Sequence, residues 1–259
     1  MKARNGDVEL AWEQVGSGSP LLLIHGLGYA RWGWEPLVPL LAEHFLVISF
    51  DNRGIGESDV PDGPYTAGDM AGDALAVLDA ANVTRAHVVG TSLGGMIAQE
   101  LAIETPARVD RLVLLSTTPG ASLGHPMPQE TIALLEEASS LEPAVALKKF
   151  VENALGTNPD TETVEQILEH RLSNPQDPGG WAAQAHAGTT YDGKDGVHLI
   201  SNPTLVMTGT EDRVVDPANS QVLADSIPEA TLETVEGGGH LFFWEYPEQT
   251  AITITGFLS

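Results

Sequence analysis

The chain has 259 residues, 42% of them apolar, with 36 Asp plus Glu against 12 Lys plus Arg, a formal net charge of −24, and no cysteine. This is a globular composition, long enough for one domain with a sizeable core or for a core carrying an insertion. It excludes disulfide scaffolds, thiolate nucleophiles and Cys-ligated metal sites, and its four Lys and eight Arg lie scattered, which argues against nucleic acid and anionic membranes as partners.

No window approaches the roughly 18 unbroken apolar residues that a membrane span needs. The first twelve residues contain no apolar signal segment, so the expected location is the cytoplasm. Residues 8–12 read as a polar edge strand and residues 21–24 and 46–50 as buried strands. Ala71, Ala74, Leu75 and Leu78 keep one apolar face over a helix at 67–81 that Asn82 closes. Residues 87–89 form the next strand, 93–104 a helix that follows it directly, and 112–115 another strand. Beyond residue 202 come a strand at 205–207, a helix opened by Pro217 that ends near Ile227, an edge strand at 231–235 and a C-terminal helix. Short apolar runs separated by helix-period segments predict an α/β fold: a mostly parallel central sheet with helices on both faces.

The alternation breaks between about residues 117 and 202, where amphipathic helices are expected at 131–139, 142–155 and 161–172. Gly156-Thr157-Asn158-Pro159 and the Pro- and Gly-rich run 174–180 separate them. Structureless loops of that length are uncommon in compact domains, so a helical cap is inferred. The expected division is a core of residues 1–117 and 203–259 with a cap at 118–202.

The strongest chemical signal is Gly90-Thr91-Ser92-Leu93-Gly94-Gly95, a G-x-S-x-G turn between a strand and a helix. So tight a turn strains the serine backbone and leaves no room for side chains two positions to either side, hence Gly90 and Gly94. Serine needs a base to become a nucleophile, and the base needs an acid to orient it. His240, in the glycine loop Gly237-Gly238-Gly239-His240 after the last strand, is the expected base among eight histidines. His87 lies inside a strand, His44 stands at the opposite sheet end, and His125, His170, His186 and His198 fall within the cap or at its edge. Asp212, just past the carboxyl end of the 205–207 strand, is the expected acid, with Glu211 and Asp216 left as alternatives. The oxyanion of acyl transfer needs two donors. The Leu93 amide follows the nucleophile, and the loop His25-Gly26-Leu27-Gly28 offers Leu27 N–H. Gly26, Trp32 and Leu241 are expected at the substrate pocket, and His25 is expected to brace the loop.

These motifs, together with Asp51-Asn52-Arg53-Gly54-Ile55-Gly56-Glu57-Ser58, Gly209–Asp212 and Gly238–Pro247 with its Glu-x-Pro, resemble the α/β-hydrolase fold superfamily along nearly the whole chain. Within it the chain resembles small bacterial carboxylesterases and 3-oxoadipate enol-lactonases. The resemblance implies a serine hydrolase of small esters or lactones that needs no cofactor or metal and uses Asp51 and Arg53 to shape the loop beside the site; if the chain associates, a homodimer is expected. Carbon–carbon bond hydrolysis by the same triad and a non-catalytic ligand receptor are the alternatives. The acidity also predicts weak recognition of polyanionic substrates unless Arg31 or Arg53 faces the site, and raises the expectation of a halophilic source.

Overall fold

The computed structural model describes residues 1–259, and its centre is one eight-stranded sheet. The strands are β1 (Lys2–Asn5), β2 (Val8–Gly16), β3 (Ser19–Ile24), β4 (Phe45–Phe50), β5 (Ala86–Thr91), β6 (Val109–Leu115), β7 (Thr204–Gly209) and β8 (Ala230–Val235). They lie in the order β1-β2-β4-β3-β5-β6-β7-β8. The pairs β1–β2 and β2–β4 are antiparallel, and every pair from β4–β3 onward is parallel.

The continuous apolar runs are explained by a sheet covered on both faces. Leu22, Ile24, Val88, Leu112, Leu114 and Val206 join one core, whereas Leu21, Leu23, Val89, Val113, Leu205 and Met207 join the other. The helices are α1 (Val38–Leu41), α2 (Ala67–Ala80), α3 (Leu93–Glu104), α4 (Gln129–Ala138), α5 (Pro143–Asn153), α6 (Thr161–Ser173), α7 (Pro178–Thr190), α8 (Ala218–Ser226), α9 (Phe242–Glu245) and α10 (Pro247–Leu258). None is long and apolar enough to cross a membrane. Helix α2 starts at a reciprocal capping box between Thr66 and Asp69. Pro217 is the N-cap of α8 and not its first helical residue.

Four helices, α4 to α7, stand between β6 and β7. Val151, Val164 and Ile167 of α5 and α6 pack into the core on one side of the sheet, while Ala183 and Ala187 of α7 pack into the core on the other. The insertion therefore straddles the sheet instead of lying on one face. Four elements depart from the sequence reading: the four-residue helices α1 and α9, strand β1 and helix α7. Strand β1 went unread because only Ala3 of its four residues is buried. Helix α7 begins inside the run read as a loop, with Asp177 capping Gly180 N–H and Pro178 at the first turn, where its missing N–H costs nothing.

Strand order reverses at β3, which has β4 on one side and β5 on the other. Such a switch point opens a crevice at the carboxyl ends of the strands. The register pair Ile24↔Gly90 puts the His25–Gly28 turn and Ser92 side by side in it.

Candidate active site

Ser92 joins β5 to α3 with φ 54 and ψ −122, a conformation that costs on the order of 1–3 kcal/mol and persists only where the surroundings enforce it. Ser92 N–H donates to Leu115 O at 2.9 Å, and Ser92 O accepts from Thr117 Oγ1 at 2.7 Å. A Cβ on Gly90 would strike the Gly94 carbonyl, and one on Gly94 the carbonyl oxygens of Ile24 and His25. Both glycines are thus required by close backbone approach. A Cβ on Gly26 would lie 3.4 Å from Ser92 Oγ, so this residue borders the hydroxyl directly.

His240 and Asp212 are both buried, with Nδ1 and Oδ2 2.8 Å apart. Asp212 Oδ1 accepts from Val214 N–H at 2.8 Å and Val215 N–H at 2.9 Å. One carboxylate oxygen therefore anchors the turn and the other holds the imidazole. Because a carboxylate only accepts, Nδ1 carries the proton and Nε2 is the ring's basic nitrogen. The two alternative acids are engaged elsewhere: Glu211 accepts from Thr157 N–H and Asp216 from Ala218 N–H.

The His240 loop is stitched to the inserted helices. Glu245 accepts from Gly239 N–H and Gly156 N–H, each at 2.8 Å, and Leu241 N–H donates to Ala154 O at 2.8 Å. Burial holds the Glu245 carboxyl above the usual carboxylate range against the pull of those two amides. Arg213, next to Asp212, donates to Glu152 O and Leu155 O and so binds the carbonyl end of α5. Leu241 itself is buried in the core beside Phe242 and Phe243.

On the other side of Ser92, Tyr29 N–H donates to Gly26 O at 3.4 Å and closes the turn that carries Leu27. Leu27 N–H has no acceptor within the protein, and Leu93, as the first residue of α3, has no intrahelical one. His25 braces this turn: its Nδ1 accepts from Gly26 N–H at 2.7 Å, its ring stacks on Tyr29, and its carbonyl accepts from Asn52 Nδ2. Burial lowers its pKa to about 3, so the imidazole is neutral. Trp32 is partly buried and stacks on His170 of α6, with ring centroids 4.9 Å apart.

Asp51 accepts from Arg31 N–H and Glu57 N–H and holds its own loop. Arg31 is paired with Glu57, and Arg53 makes a two-pronged pair with Asp73. No group of three or more His, Asp or Glu side chains is arranged to hold a metal. Thr117, Arg213 and Glu245 contribute to the site without having been singled out. Only Glu245 had a signal, the Glu-x-Pro after His240, and nothing in it shows that the carboxylate turns back to Gly239.

Comparison with known proteins agrees with this architecture. The model of a family described as alpha/beta hydrolase fold matches residues 19–247. A protein of Azorhizobium caulinodans provisionally named a carbamate hydrolase is 31% identical over 98% of this chain and 97% of its own. The 3-oxoadipate enol-lactonase 2 of Acinetobacter baylyi is 30% identical over 93% of this chain and 90% of its own. The crystal structure of the enol-lactonase from Burkholderia xenovorans superposes with a TM-score of 0.87 at 27% identity, covering 100% of this chain and 99% of that one. By its sheet, its strand-to-helix turn at Ser92 and these matches, the chain belongs to the α/β-hydrolase fold family.

Proposed function

We propose that the protein is a serine hydrolase of small carboxylic esters or lactones. Ser92 attacks the carbonyl carbon, His240 Nε2 takes the hydroxyl proton, and Asp212 holds the imidazole in the tautomer that leaves Nε2 basic. The tetrahedral oxyanion is held by the amides of Leu27 and Leu93. His240 then protonates the leaving alcohol, and water, activated by the same nitrogen, releases the acid. The observation that carries this reading is the buried contact of 2.8 Å between His240 Nδ1 and Asp212 Oδ2, with Asp212 at the same carboxyl edge of the parallel strands as a serine held at φ 54.

The substrate class is supported by the enol-lactonase relatives and by the neighbourhood of the site. Arg31 and Arg53 are committed to Glu57 and Asp73, Arg171 is spent on the Gly28 carbonyl, and Gly26, Trp32 and Leu241 bring no charge. A compact ester or lactone suits such surroundings better than a polyanion.

The test is Ser92→Ala on a panel of p-nitrophenyl esters and simple lactones, with fluorophosphonate labelling of the wild type. Turnover by the wild type, its loss in the variant by about 10³-fold or more, and labelling at Ser92 are expected. Full activity in Ser92→Ala would refute the reading.

A further inference from the structure

Arg171, in the last turn of α6, is the one residue of the inserted helices that reaches the turn carrying Leu27 with a charged group. Its Nη1 donates to Gly28 O at 2.9 Å, and its guanidinium lies over the Tyr29 ring, 5.0 Å from the centroid. No carboxylate lies within ion-pair distance of it, although carboxylates outnumber cations threefold, 36 to 12. Gly28 has φ +81, and a Cβ there would sit 2.8 Å from Nη1, so the glycine admits the guanidinium to the backbone. The preceding residue fastens the same helix end: His170 stacks on Trp32, and its Nε2 lies 2.6 Å from Glu35 Oε2.

The bonds run in series. Arg171 donates to the Gly28 carbonyl, which shares a peptide unit with Tyr29 N–H. That N–H donates to the Gly26 carbonyl, which shares a peptide unit with Leu27 N–H. Two peptide dipoles are thereby aligned head to tail, with a full positive charge at one end and the free Leu27 N–H at the other. Hydrogen bonds in such a chain polarise one another in the same direction.

We propose that Arg171 is a positioning residue for the oxyanion hole: from the inserted helices it orients and polarises the Leu27 amide, so that the hole is complete only when α6 is seated on the turn. This rests on the reading of Leu27 N–H as an oxyanion donor. The positive end of the chain then meets negative charge only as the tetrahedral adduct forms, so the effect belongs to the transition state and not to substrate binding.

The test compares wild type, Arg171→Lys and Arg171→Met on p-nitrophenyl butyrate, with inhibition by an aryl trifluoromethyl ketone, which forms a tetrahedral adduct on an active serine. In Arg171→Met, kcat should fall by about ten- to thirtyfold with KM within about threefold, a smaller loss than the about 10²–10³-fold of deleting a donor outright. Inhibition by the ketone should weaken in proportion to kcat/KM, and Arg171→Lys, which keeps the charge, should recover part of both. A role in folding alone would change the melting temperature and KM without making ketone affinity track kcat/KM. Guanidinium ion gives a second readout: Arg171 lines a cavity of about 470 Å³ with Leu147, Gln176 and Trp181, so millimolar guanidinium should restore turnover to Arg171→Ala where sodium does not. If Arg171→Met does not fold, the lysine variant against wild type carries the same comparison. Unchanged kcat and ketone affinity, with Ser92→Ala inactive, would overturn this inference alone. A fully active Ser92→Ala would overturn both it and the reading beneath it.

Discussion

The carboxylate of Glu245 holds Gly239, the residue immediately before His240, through a hydrogen bond of 2.8 Å from the Gly239 amide. Its second oxygen holds Gly156, three residues beyond the end of α5. One side chain thus ties the candidate base to the inserted helices. Glu245→Ala leaves both amides without an acceptor, and each such group costs about 1–3 kcal/mol. Denaturant unfolding should show a loss of about 2–4 kcal/mol, with kcat lower by about tenfold as His240 loses its anchor. Wild-type stability and turnover in this variant would show that the loop holds itself.

Asp212→Asn probes the imidazole in a way this geometry makes specific. Val214 and Val215 both present N–H groups to Oδ1, so the amide oxygen must occupy that side and the NH₂ must face His240. The ring can then meet it only with an unprotonated Nδ1, which puts the proton on Nε2, where a base is needed. Under the proposed serine mechanism, kcat on p-nitrophenyl esters should fall by about 10³–10⁴-fold while the midpoint of unfolding changes little. A loss below tenfold would assign the orienting role to another acid.

The glycines of the site differ in kind from one elsewhere. A Cβ on Gly94 would strike backbone carbonyls of Ile24 and His25, which can yield only by shifting the chain, whereas one on Gly256 in α10 would meet nothing within 4 Å. Gly94→Ala should cost about 1–3 kcal/mol or more from overpacking and abolish activity by pushing the His25–Gly28 turn away from Ser92. Gly256→Ala should stabilise by about 0.5–1 kcal/mol through helix propensity. Equal effects in chemical denaturation would contradict the packing described.

Motifs in which one residue's neighbours explain it were legible in the sequence. Gly90 and Ser92 need only their own turn and Asp212 only the end of β7, whereas Gly94 is read from the motif although the carbonyls its Cβ would strike belong to Ile24 and His25. What depends on residues far apart in the chain was not. Nothing near Arg171 shows that it reaches Gly28, 143 positions away, because that contact is made by the docking of α6. The same limit applies to Glu245 and Gly156. At the level of elements, β1 escaped because an edge strand with three polar residues has no apolar run, and α7 because Pro178, Gly179 and Gly180 look like loop until Asp177 is recognised as their cap.

His25 should make the fold acid-sensitive. Its pKa is about 3 in the folded chain against an ordinary 6.5, chiefly because burial disfavours the imidazolium. Between those values the unfolded chain binds the proton and the folded chain does not. This contribution is therefore complete above pH 6.5 and declines as pH falls, by about 1.4 kcal/mol per pH unit. His25→Asn, which keeps an acceptor for Gly26 N–H, should be less stable than wild type at pH 7, and the gap should narrow steadily toward pH 4. Parallel stability curves for the two proteins would mean that His25 is not the group responsible.

The charge imbalance predicts how the protein responds to salt. Nine of the twelve cations pair with carboxylates, while Arg111, Arg171 and Arg213 serve backbone carbonyls. No cation is left over for the remaining carboxylates, so repulsion among them is uncompensated. Raising NaCl from about 0.1 M to about 1 M shortens the screening length from about 10 Å to about 3 Å. That weakens attraction and repulsion alike, but surface ion pairs are worth only about 0–1 kcal/mol each, and the unpaired carboxylates outnumber them. Relief of repulsion should therefore win, and each kcal/mol gained should raise the melting temperature by about 2–4 °C for a chain of this size. A melting temperature that stays flat or falls over this range would show that the surface pairs matter more than the excess charge, and would remove the reason for expecting a halophilic source.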